Sequence, residues 1–418
     1  MITAFKSADI LLPASADMST WSVVACDQYT SEPEYWQSVS EIVGEAPSTL
    51  KLILPEVYLE EPDVDHRVEE IHENMKDYIS AGAFKEYKDT MIYVERIQSD
   101  GKLRAGIVGA IDLEEYEYYK GSQSAVRATE ATVVERIPPR IKIRQGAKIE
   151  LPHIMILIDD EDKNVIEPMG QCKDRLEKVY DFDLMKNGGH ITGYVLSKDL
   201  QLRVISALGA LGDEKVFEKK YGLSGKKPLV YAMGDGNHSL ATAKEFYEQL
   251  KRANPGKDLS DHPARYALVE IVNLHSPALE FEAIHRIITG VDEGKFISEL
   301  TKELALGEEE SEQQLTLING DEETKLYIHA PSSKLTVGSV QNFLDKYVMK
   351  NGAKIDYIHG ADVVRDLAKK QGAVGILLPD MGKQELFPTV IVDGALPRKT
   401  FSMGHAEDKR FYLEARRI

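Results

Sequence analysis

The sequence predicts an α+β protein, a mixed α/β chain of several regions built around a central unit. Three observations predict it. A strand-like run, PLVYAM, feeds a Gly-Asp-Gly-Asn-His-Ser turn at 234–239, and Leu240, Ala243, Tyr247 and Leu250 then mark one face of a helix. Two strand-like runs, MIYVERIQ and LRAGIVGAIDL, flank Ser99-Asp100-Gly101-Lys102, and Asp-Gly between such runs signals a hairpin. From Asp258 onward, strand and helix patterns alternate again.

The bulk numbers narrow the function class. A chain of 418 residues suggests two or three domains rather than one core. With 43% hydrophobic and 29% charged residues, it can bury a core and is not a disordered chain. A net charge of -18 argues against wrapping nucleic acid or coating an anionic membrane, since both need a basic face. A local basic pocket for an anionic small molecule stays compatible with it. Cys26 and Cys172 stand far apart without CxxC spacing, which speaks against a disulfide framework or a zinc knuckle. The N-terminal stretch lacks the basic start and apolar core of a signal peptide. No apolar run nears the roughly 20 residues that span a bilayer. The expected location is therefore the cytoplasm; self-association stays open.

Element by element, 49–58 (TLKLILPEVY) reads as a strand, and Val68, Ile71, Met75 and Ile79 follow helical spacing. The hairpin comes next. A polar segment follows, with Arg127, Glu130, Glu135 and Arg136 ahead of a Pro-Pro break. HIMILIDD reads as a buried strand, the Lys186-Asn187-Gly188-Gly189-His190 turn leads into the strand ITGYVL, and 198–211 has a helical pattern. The helix after the 234–239 turn stops at Asn254-Pro255-Gly256. Beyond it, ALVEIVNL, KIDYIH and AVGILLP read as strands, and 294–304, SVQNFLDKYVMK and ADVVRDLAKKQ as helices. The acidic run 308–312 reads as solvated surface. These patterns divide the chain into an N-terminal region with the hairpin (1–115), a central region (116–257) and a C-terminal region (258–418).

The 234–239 turn is the strongest candidate site. A strand running through glycines into a helix aims backbone N–H groups, at the positive end of the helix dipole, toward an anion. Gly234 and Gly236 let the backbone approach closely, and Asp235, Asn237, His238 and Ser239 crowd polar groups around the spot. A helix cap accounts for one such polar residue, not four in succession. The Lys-Ser/Thr pair of a P-loop is missing, and two glycines are too few for a dinucleotide fingerprint. Gly188, Gly189 and His190 form a second candidate anion loop, equally readable as an ordinary turn before a strand. His285-Arg286 and 397–400, with Lys399, could add cations, or could be a core histidine and a solvated basic turn. No HExxH or helical His pair points to a metal; magnesium on Asp235 stays open.

The stretch YAMGDGNHSLATA resembles the Asp-Gly-His-His-Arg-x-x-x-Ala signature of the domain of unknown function numbered 1015. VRATEAT, AIHRI and LPRKTF resemble further elements of that family in order, and the resemblance covers nearly the whole chain. The signature is also similar to the ParB/sulfiredoxin superfamily, whose free-serine kinase branch pairs a base glutamate with an Asp-Gly-His turn that handles phosphate. The resemblance implies a ParB/sulfiredoxin-like central unit and nucleotide-dependent phosphoryl transfer, with ATP or ADP, to or from a small hydroxyl compound such as serine or phosphoserine. Glu130 then matches the base, and Asp235 and His238 match the phosphate-handling pair. Asp27 and Tyr29 fall where the family has a Pro-Tyr-Asp element. Two positions depart from the pattern: Ser239 stands in place of the family's Arg, and Asn237 in place of its first His. Charge neutralisation must then come from Lys244, Arg127, Lys399 or magnesium, and the sequence does not choose. The departures keep alive a non-catalytic nucleotide-binding switch or a scaffold. A sulfiredoxin-like reductase is set aside, because Asn237 stands where its cysteine would be.

Overall fold

The computed structural model describes residues 3–130 and 137–418. Glu135 and Arg136 lie outside the described residues. The chain forms two compact units, Met1–Leu279 with His405–Ile418, and Glu280–Gly404. This differs from three successive regions, because one sheet takes strands from both sides of residues 115 and 257, and from either side of the two breaks.

The first unit is built on a ten-stranded sheet. In chain order its strands are β1 (Phe5–Lys6), β2 (Ile92–Ile97), β3 (Leu103–Asp112), β4 (Tyr116–Glu117), β5 (Val126–Arg127), β6 (Met155–Ile158), β7 (Glu177–Asp183), β8 (His190–Val195), β9 (Tyr231–Asp235) and β10 (Tyr266–Asn273). They lie in the order β7-β8-β2-β3-β10-β6-β9-β5-β4, with β1 on β3. Successive side chains of a strand point to opposite faces. Ile92, Val94, Val108, Ala110 and Leu268 therefore feed one core, while Tyr93, Ile107, Ile111, Val269 and Ile271 feed another. The hairpin joins β2 to β3, turning at Gly101 with φ 81°.

The helix over Val64–Ser80 (α1) buries Val68, Ile71 and Met75, the stripe its spacing predicts. The segment 49–58 is not a strand. It forms two short 3-10 turns, Thr49–Leu52 and Glu56–Tyr58. Ser48 caps the Leu50 N–H, and Pro55 has no N–H to give a ladder, so the apolar run is buried without pairing. Ile137–Arg144 (α2), Lys198–Leu211 (α3) and Asn237–Ala253 (α4) complete the helices that concern the site.

The second unit carries a seven-stranded sheet, in which Phe281–Thr289 (β11) pairs with Lys354–His359 and Ala373–Leu377. Helices Glu293–Leu304, Thr336–Asn351 and Ala361–Ala368 match the periodic segments. The hairpin of Gln314–Asn319 with Glu322–Ile328, and the helix Lys383–Asp393 with Pro388 inside it, are not predicted by the sequence reading. Residues 308–310 are exposed, as an acidic surface run should be. Among the described residues, no helix is long and apolar enough to cross a membrane.

Candidate active site

The site is assembled at the end of β9. This strand pairs with β6 through a register shift between Met233 and Asp235. The extra residue is Gly234, where a Cβ would stand 3.0 Å from Leu157 Cγ. Such a bulge bends the strand and re-aims the residue that follows. Gly236 then takes φ 78°, a left-handed value that costs a side-chain-bearing residue roughly 1–2 kcal/mol. From there α4 runs for 17 residues with no side-chain cap among the described residues. Its first helical bond is Leu240 N–H to Gly236 O, so the N–H groups of Asn237, His238 and Ser239 have no intrahelical acceptor. The Oδ1 of Asn237 is buried without a hydrogen-bond partner among the described residues. Asp235 Oδ1 accepts the Gly236 N–H at 2.9 Å. Its Oδ2 lies 3.3 Å from Lys409 Nζ, with the lysine side chain only 10% exposed.

Glu130 follows the neighbouring strand β5. β5 runs parallel to β9, with Tyr231 opposite Val126 and Ala232 opposite Arg127. Two residues on, the Thr129 hydroxyl donates to Met233 O at 2.8 Å, which carries Glu130 to the level of the turn.

A third group comes from the residues before β6. His153, 5% exposed at its side chain, sets Nε2 at 3.5 Å from Asp27 Oδ2. The same nitrogen is 3.3 Å from Ser239 Oγ, and Nδ1 is 2.7 Å from the Tyr412 hydroxyl. Ser and Asp thus share one ring nitrogen. A Ser-His-Asp relay needs them on opposite nitrogens, so this is not a nucleophilic triad. Burial opposes charge on His153, but Asp27, and then Asp235 and Glu56, outweigh it and hold the imidazole above its ordinary value. Burial likewise works against the Asp27 carboxylate, yet His153 holds it well below the usual range. Each group thus favours the charged form of the other, and the His153 ring does so within reach of Ser239. Burial, and then Asp27, push the nearby Cys26 thiol up, which makes it a neutral wall rather than a nucleophile.

The segment His405–Ile418 closes the site from behind. Arg410 donates to Glu270 at 2.8 Å and to Glu414 at 2.7 Å, and Tyr180 donates to Glu414 at 2.6 Å. Arg104 donates to Asp408 O at 2.8 Å, and Arg96 donates to the carbonyls of Lys409 and Glu407. Arg96, Arg104, Arg410, Glu270 and Glu414 are all buried. A buried charge is tolerable only when paired and hydrogen-bonded, so these contacts fix the backbone that presents Lys409.

The remaining candidates lie elsewhere. Arg127 donates to Ser124 O at 2.7 Å and to Lys227 O at 2.8 Å. Lys227 precedes β9, so this guanidinium faces the opposite end of the strand from Asp235. Lys244, about two turns into α4, donates to Leu113 O at 2.9 Å and pairs with Glu248 at 2.9 Å, so its charge is already engaged. Four strands stand between β8 and β9 in the sheet, so the Gly188-Gly189-His190 turn belongs to another part of the unit. There Gly188 O accepts from Arg96, and His190 sits between Asp183 and Asp181, each 2.7 Å away. Lys399 lies in the second unit, where its carbonyl accepts from Arg286 at 3.1 Å. Tyr29 stacks on Tyr35 with centroids 3.6 Å apart.

Sequence reading missed His153, Lys409 and Tyr412. A Pro-His pair immediately before a buried strand was the available signal for the first. The other two reach the site only through a strand of chain running back across the unit, which no local pattern reports. A cavity of about 150 Å³ adjoins the helix start, with His153, Ser239 and Thr242 on its wall.

A mixed α/β protein with a polar helix start at the end of an inner strand, without a side-chain cap among the described residues, is the class these features define. The chain belongs to the family described as Protein of unknown function (DUF1015), which it matches over residues 7–347. No curated protein matches it. Among solved structures, it is similar to a C-terminally truncated SbnI from Staphylococcus aureus, at 10% identity and TM-score 0.36, over 71% of this chain and 82% of that one. It is similar to a conserved hypothetical protein from Pyrococcus furiosus, at 12% identity and TM-score 0.37, over 73% and 94%. A free serine kinase in complex with AMP also matches, at 12% identity and TM-score 0.37, over 73% and 90%.

Proposed function

We propose that this protein transfers a phosphoryl group between a nucleotide, ATP or ADP, and a small hydroxyl compound, with the group held where α4 begins. The observation that carries the reading is the start of α4, which has no side-chain cap among the described residues, with Asp235 at the end of β9 and Glu130 on the segment that follows the parallel neighbour β5. Phosphoryl transfer needs little covalent help from a protein; it needs positioning, charge stabilisation and one base for the alcohol proton. The N–H groups of Asn237, His238 and Ser239 hold phosphoryl oxygens, with the His238 ring beside them. Glu130 takes the hydroxyl proton in one direction and returns it in the other. Lys409 and His153 supply the positive charge that the family pattern places on an arginine at 239. Asp235 and the Oδ1 of Asn237, which has no hydrogen-bond partner among the described residues, are oxygen donors that suit magnesium, which when bound would neutralise phosphate charge.

Serine and phosphoserine are the first compounds to try, because of the resemblance to the free-serine kinase branch. Purified protein is mixed with serine and ATP, or phosphoserine with and without ADP, in magnesium, and followed by phosphorus NMR. Transfer or release that is lost in Glu130→Gln is the expected result. Absence of turnover with every nucleotide and hydroxyl compound tried, despite tight nucleotide binding in a thermal-shift assay, points instead to a nucleotide-binding switch. The Ser239 and Asn237 departures favour that second reading.

A further inference from the structure

The cavity beside the helix start lies outside the phosphoryl-binding turn, and its chemistry is different. Apolar residues, Leu52, Leu54, Met75, Ile143, Leu151 and Ile154 among them, form most of its wall. The charged side chains on that wall each stand in an ion pair, with only the buried Arg144 Nε lacking a hydrogen-bond partner among the described residues. Arg140 donates to Glu56 at 2.9 Å, Arg144 to Glu150 at 2.6 Å, and His153 faces Asp27 at 3.5 Å. Its polar end is the end that meets the phosphoryl turn, through Ser239 and His153.

We propose that this cavity receives the carbon body of the hydroxyl substrate, and that the body is compact and apolar. The inference rests on the phosphoryl reading of the same helix start, and it says which alcohols that site prefers. A zwitterionic body such as serine's brings an ammonium and a carboxylate against an apolar wall. It would have to open one of the buried ion pairs to find partners, and breaking such a pair is strongly unfavourable. A neutral ring or branched chain asks for nothing except removal from water, which is favourable in proportion to its area. The size agrees: a cavity of about 150 Å³ walled by aliphatic side chains accommodates one benzene ring. Ser239 and His153 then stand where the body ends and the oxygen begins. The substrate is thus a monohydric alcohol, or its phosphomonoester, with an aryl or branched head of about six carbons.

Calorimetry with the full chain tests this using orthophosphate, phosphoserine and phenyl phosphate. The expected result is that phenyl phosphate binds at least tenfold more tightly than the other two, since a hydrophobic pocket discriminates by about tenfold or more per carbon unit. Leu59→Trp, at the partly exposed rim, should erase that advantage and leave orthophosphate binding unchanged. Ile143→Ala should move the preference to naphthyl phosphate. If phosphoserine binds as tightly as phenyl phosphate, or Leu59→Trp raises the melting temperature without touching ester affinity, the cavity is a packing gap and the inference is overturned while the phosphoryl reading stands. If orthophosphate and every ester fail to bind, both are overturned.

Discussion

Two glycine turns in the first unit look alike on paper and do opposite things. At Gly188-Gly189 the missing side chains make room for protein: a Cβ on Gly188 would stand 2.6 Å from Phe411 Cζ, and one on Gly189 2.0 Å from Ile97 O. The turn is filled, and Arg96 takes the Gly188 carbonyl. At Gly234-Gly236 the glycines bend a strand and start a helix whose first donors have no partner in the helix. Glycine next to polar residues does not itself mark a ligand site. What decides is whether the backbone N–H groups face packed chain or an opening.

The contrast can be broken in four ways. The largest effect is expected from Asp235→Asn, which keeps an acceptor for the Gly236 N–H but removes the charge. Turnover should fall by roughly 10²- to 10⁴-fold while the melting temperature stays near the parent's. A comparable stability loss without loss of turnover would mean that Asp235 is only a brace.

The paired alanine variants come next. Gly189→Ala should cost at least ~2 kcal/mol in urea unfolding, because strain at φ 79° adds to a backbone clash. Nucleotide affinity of its folded fraction should be unchanged. Gly236→Ala should cost less stability, about 1–2 kcal/mol from its φ, and should lose phosphate affinity. Equal loss of phosphate affinity in both would erase the distinction.

His153→Gln is expected to act through pH. The histidine is held above its ordinary value, so its charge is complete below about 6.5 and lost as pH rises through the folded value. Activity of the parent should decline on that alkaline limb, and the variant should be low and flat there. An unchanged limb would remove His153 from the charge account.

The smallest effect is at the other turn. Asp183, and then Asp181, raise His190. Its contribution to stability is therefore present below about pH 6.5 and disappears as pH rises through the folded value. His190→Asn should destabilise by a few tenths of a kcal/mol at pH 5.5 and not at pH 9, as befits a solvent-screened pair. A change in phosphate affinity there would revive it as an anion loop.

Where the sequence speaks plainly, the physics is local. The helix stripe of α1, the Asp-Gly hairpin and the strand-turn-helix unit through 254–256 each depend on neighbours within a few residues, and each is present. The segment 49–58 misled because an apolar run reports burial, while Pro55 and the Ser48 cap decide the backbone. The cation sources were out of reach for a different reason. Arg127 is on the strand beside that of Asp235 and Lys244 is on the helix that follows it, yet each is tied to carbonyls elsewhere, while Lys409 is 174 positions away in chain order. Only the path of the final segment brings it in.

That path has a consequence for how the protein is made. Phe411, Leu413 and Ala415 belong to the same buried core as Trp21 and Val94, and the Trp21 indole donates to Leu413 O at 3.0 Å. Residues 280–404 must leave the ribosome before this first unit receives its last core strand. Domains emerging N-terminus first usually fold as they appear. Here the early part of the unit has to wait for residues 405–418, with Arg96 and Arg104 lacking their final acceptors until then.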